Sequence, residues 1–288
     1  MLKERVLSAI ILIAIVFAAL FLFSPFYFAL AVGAVVILGV WEWTQFVHFK
    51  VAFWRLGITG LLTAFLFLWV YGESDYLNAG RVFEDLLSLI LFSSVIWWGI
   101  AFILVVTYPR SSQLWGKSKL LQFLFAFFTL IPFFAGVLRL RLDHYISDSY
   151  HGIVLLLYVF ILVWSADSGA YFAGRQFGKH KLAPKVSPGK SWEGVVGGLI
   201  TAGIVAAIFM QFTQDSLLAG VSILHFILLS VATVAVSILG DLTESMLKRQ
   251  SGIKDSSQLI PGHGGVLDRI DSLTAAVPFF AYFYFFIL

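Results

Sequence analysis

The chain has 288 residues, 60% of them hydrophobic and 12% charged, with a mean hydropathy of +0.94 and a formal net charge of +3. Those proportions exclude an ordinary soluble globule and indicate an all-α, polytopic integral membrane protein. There is no cysteine, which excludes disulfides, thiol nucleophiles and zinc–thiolate sites, and nothing in the 30 phenylalanines asks for nucleic acid.

A crossing helix needs about 20 mostly apolar residues to span roughly 30 Å of hydrocarbon. Nine stretches are candidates: residues 6–23, 25–47, 56–71, 86–108, 120–138, 152–173, 194–212, 223–240 and 266–288. The third is short, Pro132 is expected to kink the fifth, and Ser24-Pro25 makes the first connection very tight. Lys3 and Arg5 before an apolar run resemble the start of a signal peptide. No small-residue cleavage site follows, however, and the run is long enough to span.

Basic residues set the orientation. With nine spans and the N-terminus inside, the inner positions hold Lys3, Arg5, Lys50, Arg55, Arg110, Lys117, Lys119, Arg175, Lys179, Lys181, Lys185, Lys190, Lys248, Arg249, Lys254 and Arg269. The outer positions hold only Arg81, Arg139 and Arg141, and sixteen against three is a strong positive-inside asymmetry. The C-terminus then falls outside. The chain also divides in character: residues 1–151 form an N-terminal bundle of about five apolar spans, and 152–288 form a half of about four spans that carries nearly all the chemically suggestive residues.

Carboxylates mark three of the later spans. Asp167 lies late in the sixth, within about two turns of the inner surface at a rise of about 1.5 Å per residue. Asp241 and Glu244 close the eighth, and Asp268 and Asp271 open the ninth. Spacings of three place each pair on one helical face. Hard oxygen ligands at one depth suit Mg²⁺, which keeps waters and borrows ligands from substrate phosphates. A structural alternative stands beside this for each pair: Asp268 and Asp271 complement a helix dipole, and Asp241 and Glu244 pair with Lys248.

The loop from Gly174 to Trp192 carries five basic residues and no acid. It reads either as a topological determinant touching anionic lipid or as a clamp for triphosphate. Pro188-Gly189-Lys190-Ser191 is not a P-loop, because Pro184 stands where the first glycine belongs and no strand precedes it. Gly194 and Gly198 read as close helix packing. His180 belongs with the basic loop, whereas His263, between glycines, reads as a phosphate contact or a turn residue. Trp41-Glu42-Trp43, near the inner end of the second span, could reach the same region, but an interfacial aromatic pair around a snorkelling acid is the favoured account.

The densest polar stretch is Ser245 to Asp271, SMLKRQSGIKDSSQLIPGHGGVLDRID, set between two apolar segments where polar residues are costly. At every defined position it resembles the pattern of the phosphatidate cytidylyltransferases (CDP-diacylglycerol synthases) of bacterial type. Asp167-Ser168-Gly169-Ala170-Tyr171 and the run Ser187 to Gly194 are similar to further blocks of that family, and the resemblance covers the whole chain. It implies transfer of CMP from CTP to phosphatidate, giving CDP-diacylglycerol and pyrophosphate, with Mg²⁺ and room for a second cation of unread identity. On that resemblance Asp241, Asp268, Asp271, Lys248 and Arg269 are the expected catalytic residues. Lys185, Ser187, Lys190, Arg249, Lys254 and His263 are expected to bind substrate, and Asp241, Asp268, Asp271 and Asp167 to hold metal. The setting implied is a bacterial inner membrane with the site facing the cytoplasm, in a monomer or a homodimer.

Two other classes compete. A transporter would thread charges through the whole bilayer depth, whereas the acids here gather at one side. A CDP-alcohol phosphotransferase would carry a D-G-x₂-A-R helix, which does not occur.

Overall fold

The computed structural model describes residues 2–47, 52–72, 74–75 and 84–288. Lys50 and Arg81, used above for orientation, lie outside the described residues. Nine long helices, of 20 to 29 residues, are found among the described residues: α1 (Leu2–Leu22), α2 (Pro25–Phe46), α3 (Ala52–Gly72), α4 (Glu84–Val106), α6 (Lys119–Arg141), α7 (His151–Phe177), α8 (Trp192–Thr213), α9 (Ile223–Ser251) and α10 (Leu267–Phe286). A one-turn helix, α5 (Ser112–Trp115), precedes α6. Seven of these helices, α2, α3, α4, α6, α7, α8 and α9, are long and apolar enough to cross a membrane. The other two expected spans coincide with α1, whose apolar stretch is Ile10–Leu22, and with α10, whose first turns carry Asp268, Arg269 and Asp271.

Local chemistry accounts for the helix ends. Pro25 opens α2 directly after Ser24, so only two residues separate it from α1. Ser118 caps α6 by accepting from Leu121 N, and Ser191 caps α8 by accepting from Gly194 N. Helix α9 stops at Gly252, whose φ of +70° permits the left-handed turn in which Gly252 N and Ile253 N bond back to the last carbonyls. Lys248 and Arg249 sit in that last turn, where cations complement the helix dipole.

Two expectations are corrected. The third span is not short: α3 has 21 residues and includes Arg55, which folds back over Trp41, 4.2 Å from the ring centroid, and donates from Nε to Thr44 Oγ1 at 2.8 Å. Helix α6 carries Pro132 in its interior. The stretch 174–192 is not simply a loop, since α7 continues to Phe177 and is followed by an antiparallel hairpin. Its strands are β1 (Lys181–Ala183) and β2 (Ser187–Ser191), paired as Lys181 with Ser191 and Ala183 with Ser187, so a short strand does precede Pro188-Gly189-Lys190-Ser191 and only Pro184 still argues against a P-loop. Glu193 fastens the hairpin base: its carboxylate accepts from His180 N at 3.2 Å and lies 2.7 Å from His180 Nδ1.

Helices α6 and α10 form the centre, burying Leu130, Phe134, Ala275, Ala276 and Phe280. Helices α7 and α8 make the most extensive pairing, and glycines let their backbones approach. A Cβ at Gly198 would lie 3.1 Å from Ala166 O, and one at Gly169 would collide with the Thr201 side chain. Gly198 therefore does the packing work expected of it. Two polar pairs cross-link helices inside this apolar core. Tyr158 Oη and Ser230 Oγ lie 2.6 Å apart, and Trp97 Nε1 donates to Thr129 Oγ1 at 3.0 Å. At one end of the bundle Ser251 Oγ donates to Phe46 O at 3.0 Å, which ties the end of α9 to the end of α2.

Candidate active site

Four carboxyl-bearing helices deliver their polar ends to one face. On α9, spacings of three and four put Asp241, Glu244, Ser245 and Lys248 on one side of the last turns. Lys248 Nζ lies 2.9 Å from Glu244 Oε2 and 2.8 Å from Asp268 Oδ1. All three side chains are largely buried, with exposures of 14% for Lys248, 5% for Glu244 and 6% for Asp268, so the lysine charge neutralises a site shielded from water. Glu244 is thus held by Lys248 as the structural reading expected, while Asp241 is not: its partner is Lys190.

Between α9 and α10 the chain folds through residues 253–266, a loop whose reversals fall on Gly262, φ +75°, and Gly264, φ +83°. Ile260 and Gly264 form a backbone bridge across it. Asp268 clamps the loop: its Oδ2 accepts from Ser256 N at 2.9 Å, Ser256 Oγ at 2.9 Å and Gly265 N at 2.8 Å. Asp271, one turn later, accepts from Ser272 N at 2.7 Å and lies close enough to Asp241 and Glu244 for their charges to act on it.

A cavity of about 390 Å³ opens beside this cluster, lined by Asp167, Tyr171 and Arg175 of α7, Lys190 of β2 and Asp241 of α9. Lys190 Nζ lies 2.7 Å from Asp241 Oδ2, and Asp167 feels both charges. The close approach of α7 and α8 at Gly174 and Gly194 forms the cavity wall. Its volume is in the range of small-molecule sites. Charged groups therefore run from Asp167 through Lys190, Asp241, Asp271 and Glu244 to Lys248 and Asp268.

The remaining expected residues surround this line. Lys185, Arg249, Lys254 and Arg269 are exposed, and Ser187 and His263 are half-buried. Arg249 Nε donates to Val186 O at 3.2 Å, which docks the hairpin on α9. His263 Nδ1 lies 2.7 Å from Ser8 Oγ of α1.

Glu42 corrects the reading of an interfacial acid, because it does not snorkel. It is fully buried and accepts hydrogen bonds from the 256–267 stretch, which gives it better partners than headgroup water. Ser256 and Ser257 also escaped the sequence reading. The usable signal for Glu42 was an acid within an apolar span with no basic residue three or four positions away.

Do the carboxylates fit a metal? Among the described residues, three of the expected ligands do not gather within a preformed cage; the group that does is Asp143, His144 and His151 at the far end of α6. There Arg139 Nη1 already lies 3.4 Å from Asp143 Oδ1 and supplies the carboxylate with its cation. At the candidate site both oxygens of Asp268 are engaged, and those of Asp241 meet Ser245 Oγ at 3.2 Å and Lys190 Nζ at 2.7 Å, but Asp241 and Asp167 line the cavity and face an incoming ligand. One or two carboxylates completed by waters and substrate phosphates is the donor set Mg²⁺ prefers, so the residues fit that ion.

Comparison with known proteins adds an independent line. A family model described as "Cytidylyltransferase family" matches residues 3–287. The chain is 69% identical over 288 residues, the whole of both chains, to a phosphatidate cytidylyltransferase of Haemophilus influenzae. It is 43% identical over 281 residues to the Pseudomonas aeruginosa protein of that name, covering 98% of this chain and 96% of the other. Against the Bacillus subtilis protein of the same name it is 31% identical over 281 residues, covering 96% and 95%.

Proposed function

The chain belongs to the cytidylyltransferase family, and from that premise we propose how its charged face carries out the family's chemistry. Its activity is that of a phosphatidate cytidylyltransferase, a nucleotidyltransferase of phospholipid biosynthesis. The observation that carries the site assignment is the Lys190–Asp241 pair in the cavity, joined by charge to Asp271 and the Lys248–Asp268 pair.

In the proposed reaction a phosphate oxygen of phosphatidate attacks the α-phosphorus of CTP. The new P–O bond forms as the bond to the β-phosphate breaks, and pyrophosphate leaves with its electron pair. The attacking phosphate is already ionised, so no side chain has to remove a proton. The work left to the protein is positioning and charge neutralisation. Lys190, with Lys185 and Ser187 on the same hairpin, holds the triphosphate in the cavity. Arg249, Lys254, Arg269 and His263 take lipid or nucleotide phosphate at the rim. Lys248, fixed between Glu244 and Asp268, presents one buried cation to the charge developing in the transition state. Asp241 and Asp271, with Asp167, would hold Mg²⁺, which when bound neutralises the leaving pyrophosphate. Asp268 acts in this scheme through Lys248 and the loop.

The charged face is proposed to lie on the cytoplasmic side of a bacterial inner membrane, with nine crossings, supported by the sixteen-to-three distribution of basic residues. The N-terminal bundle, 1–151, then supports the catalytic half, 152–288. A homodimer is the assembly proposed, pairing through apolar helix faces left uncovered in one chain, such as Leu61 and Leu68 of α3.

The test is direct. Protein purified in detergent is given CTP and phosphatidate with Mg²⁺, then with a chelator in its place. CDP-diacylglycerol and pyrophosphate in equal amounts, formed only with the metal, is the expected result. Absence of product, or product indifferent to chelation, overturns the reading.

A further inference from the structure

We infer that Glu42 is a positioning residue of the active site: a buried carboxylate on α2 that holds the loop carrying Asp268 in register with Lys248. The inference rests on the reaction proposed above for its kinetic arm, and on the structure alone for its exchange arm.

Glu42 is 0% exposed, and both its oxygens are used. Oε1 accepts from Ser257 Oγ at 2.6 Å and from Val266 N at 2.9 Å. Oε2 accepts from Ser256 Oγ at 3.0 Å and from Leu267 N at 2.8 Å. Every donor belongs to the loop after α9 or to the first residue of α10, more than 200 positions along the chain. Among the described residues no lysine, arginine or histidine pairs with it. An ionised carboxylate taken out of water is costly unless donors surround it, so these contacts are what permit a charge at this depth. Two of the donors, Val266 N and Leu267 N, stand at the start of α10, where N–H groups have no partner within the helix and the dipole favours an anion. Glu42 therefore caps α10 from a different helix.

The cap is coupled to the reacting groups through one hydroxyl. Ser256 Oγ lies 3.0 Å from Glu42 Oε2 and 2.9 Å from Asp268 Oδ2, so a single proton serves two carboxylates. Asp268 in turn holds Lys248 at 2.8 Å. A shift at Glu42 thus passes to Asp268 and then to the lysine. Gly265 completes the fit, since a Cβ there would lie 2.6 Å from both Glu42 oxygens. This gives the second glycine of His263-Gly264-Gly265 a reason in packing against α2.

The full-length protein in detergent is compared as wild type, Glu42→Gln and Glu42→Asp. Gln keeps the shape, but its amide N–H₂ faces donors, whereas Asp keeps the charge on a shorter stem. A positioning carboxylate predicts a kcat loss of about 10- to 100-fold in Glu42→Gln, a change in KM for CTP that is small beside it, and partial recovery in Glu42→Asp. Hydrogen exchange without substrate should be faster at Val266 and Leu267 in Glu42→Gln and unchanged across α7. Wild-type kcat in Glu42→Gln, or Gln outperforming Asp, overturns the inference, as a space-filling role would favour the isostere. If Glu42→Gln does not accumulate in membranes, Ser257→Ala removes one donor of the set. It should lower kcat several-fold with an unchanged unfolding midpoint, and full kcat there also overturns the inference. An inactive wild type would instead count against the proposed reaction, leaving the exchange arm to decide the role of Glu42.

Discussion

Lys190 Nζ lies 2.7 Å from Asp241 Oδ2, and this ion pair joins the hairpin after α7 to the end of α9 across the cavity. Both side chains are partly exposed, 26% and 32%, and in the proposed reaction an incoming phosphate would exchange for the carboxylate as the lysine's partner.

Replacing Lys190 by Ala would remove that proposed phosphate partner. A hydrogen bond to a charged group contributes about 1.5–3 kcal/mol, so KM for CTP is expected to rise roughly 10- to 100-fold. The rise should be larger than any change in KM for phosphatidate. Steady-state rates with each substrate varied in turn check this, and an unchanged KM for CTP would remove Lys190 from the triphosphate site.

Asp268→Asn should abolish turnover while expression stays near normal. Its new amide would meet Ser256 N or Gly265 N with a donor, and Lys248 would lose a countercharge. Leaving one buried donor unpaired costs about 1–3 kcal/mol, so a modest fall in the unfolding midpoint accompanies the loss. Full activity in this variant would dismiss Asp268 from the site altogether.

Gly265→Ala places a methyl against Ser256 Oγ and 2.6 Å from the Glu42 carboxylate. Neither carboxylate oxygen can yield without breaking its bonds to Val266 or Leu267. The variant should be inactive, with stability lowered by about 1–3 kcal/mol, as overpacking in a tight interior commonly gives. Product assay and denaturation of the same sample read both effects.

Gly169→Leu tests the α7–α8 approach. The added side chain would collide with Thr201, and its Cβ would lie 3.2 Å from Gly197 O. Forcing the helices apart moves the Gly174–Gly194 wall of the cavity, so both the unfolding midpoint and CTP binding should fall. Gly57→Leu on α3, where a Cβ meets nothing within 4 Å, is the matched control and should leave both unchanged.

Much of this molecule could be read along the chain. Apolar run length gave the positions of the long helices, because a bilayer sets one length for every crossing. Pro25 opened α2 and Gly252 closed α9, as their backbone geometries require. The charged residues of α9 and the start of α10 stood out because acids and bases in an apolar chain need a reason. Where the structure departed from that reading, the cause was distant partners. Arg55, within α3, packs over Trp41, and Glu193 holds His180 at the base of the hairpin that replaces part of the expected loop.

The sequence by itself therefore determined membrane class, helix placement and the residue types of the site, since these depend on local hydrophobicity and on motifs within a short stretch. The tertiary structure alone decided the pairings: Lys190 with Asp241, Lys248 with both Glu244 and Asp268, and Glu42 with the loop before α10. Hydrogen bonds and ion pairs act over about 3 Å. Which groups come that close is set by how helices pack, and an isolated acid between two tryptophans carries no mark of a partner 224 residues away.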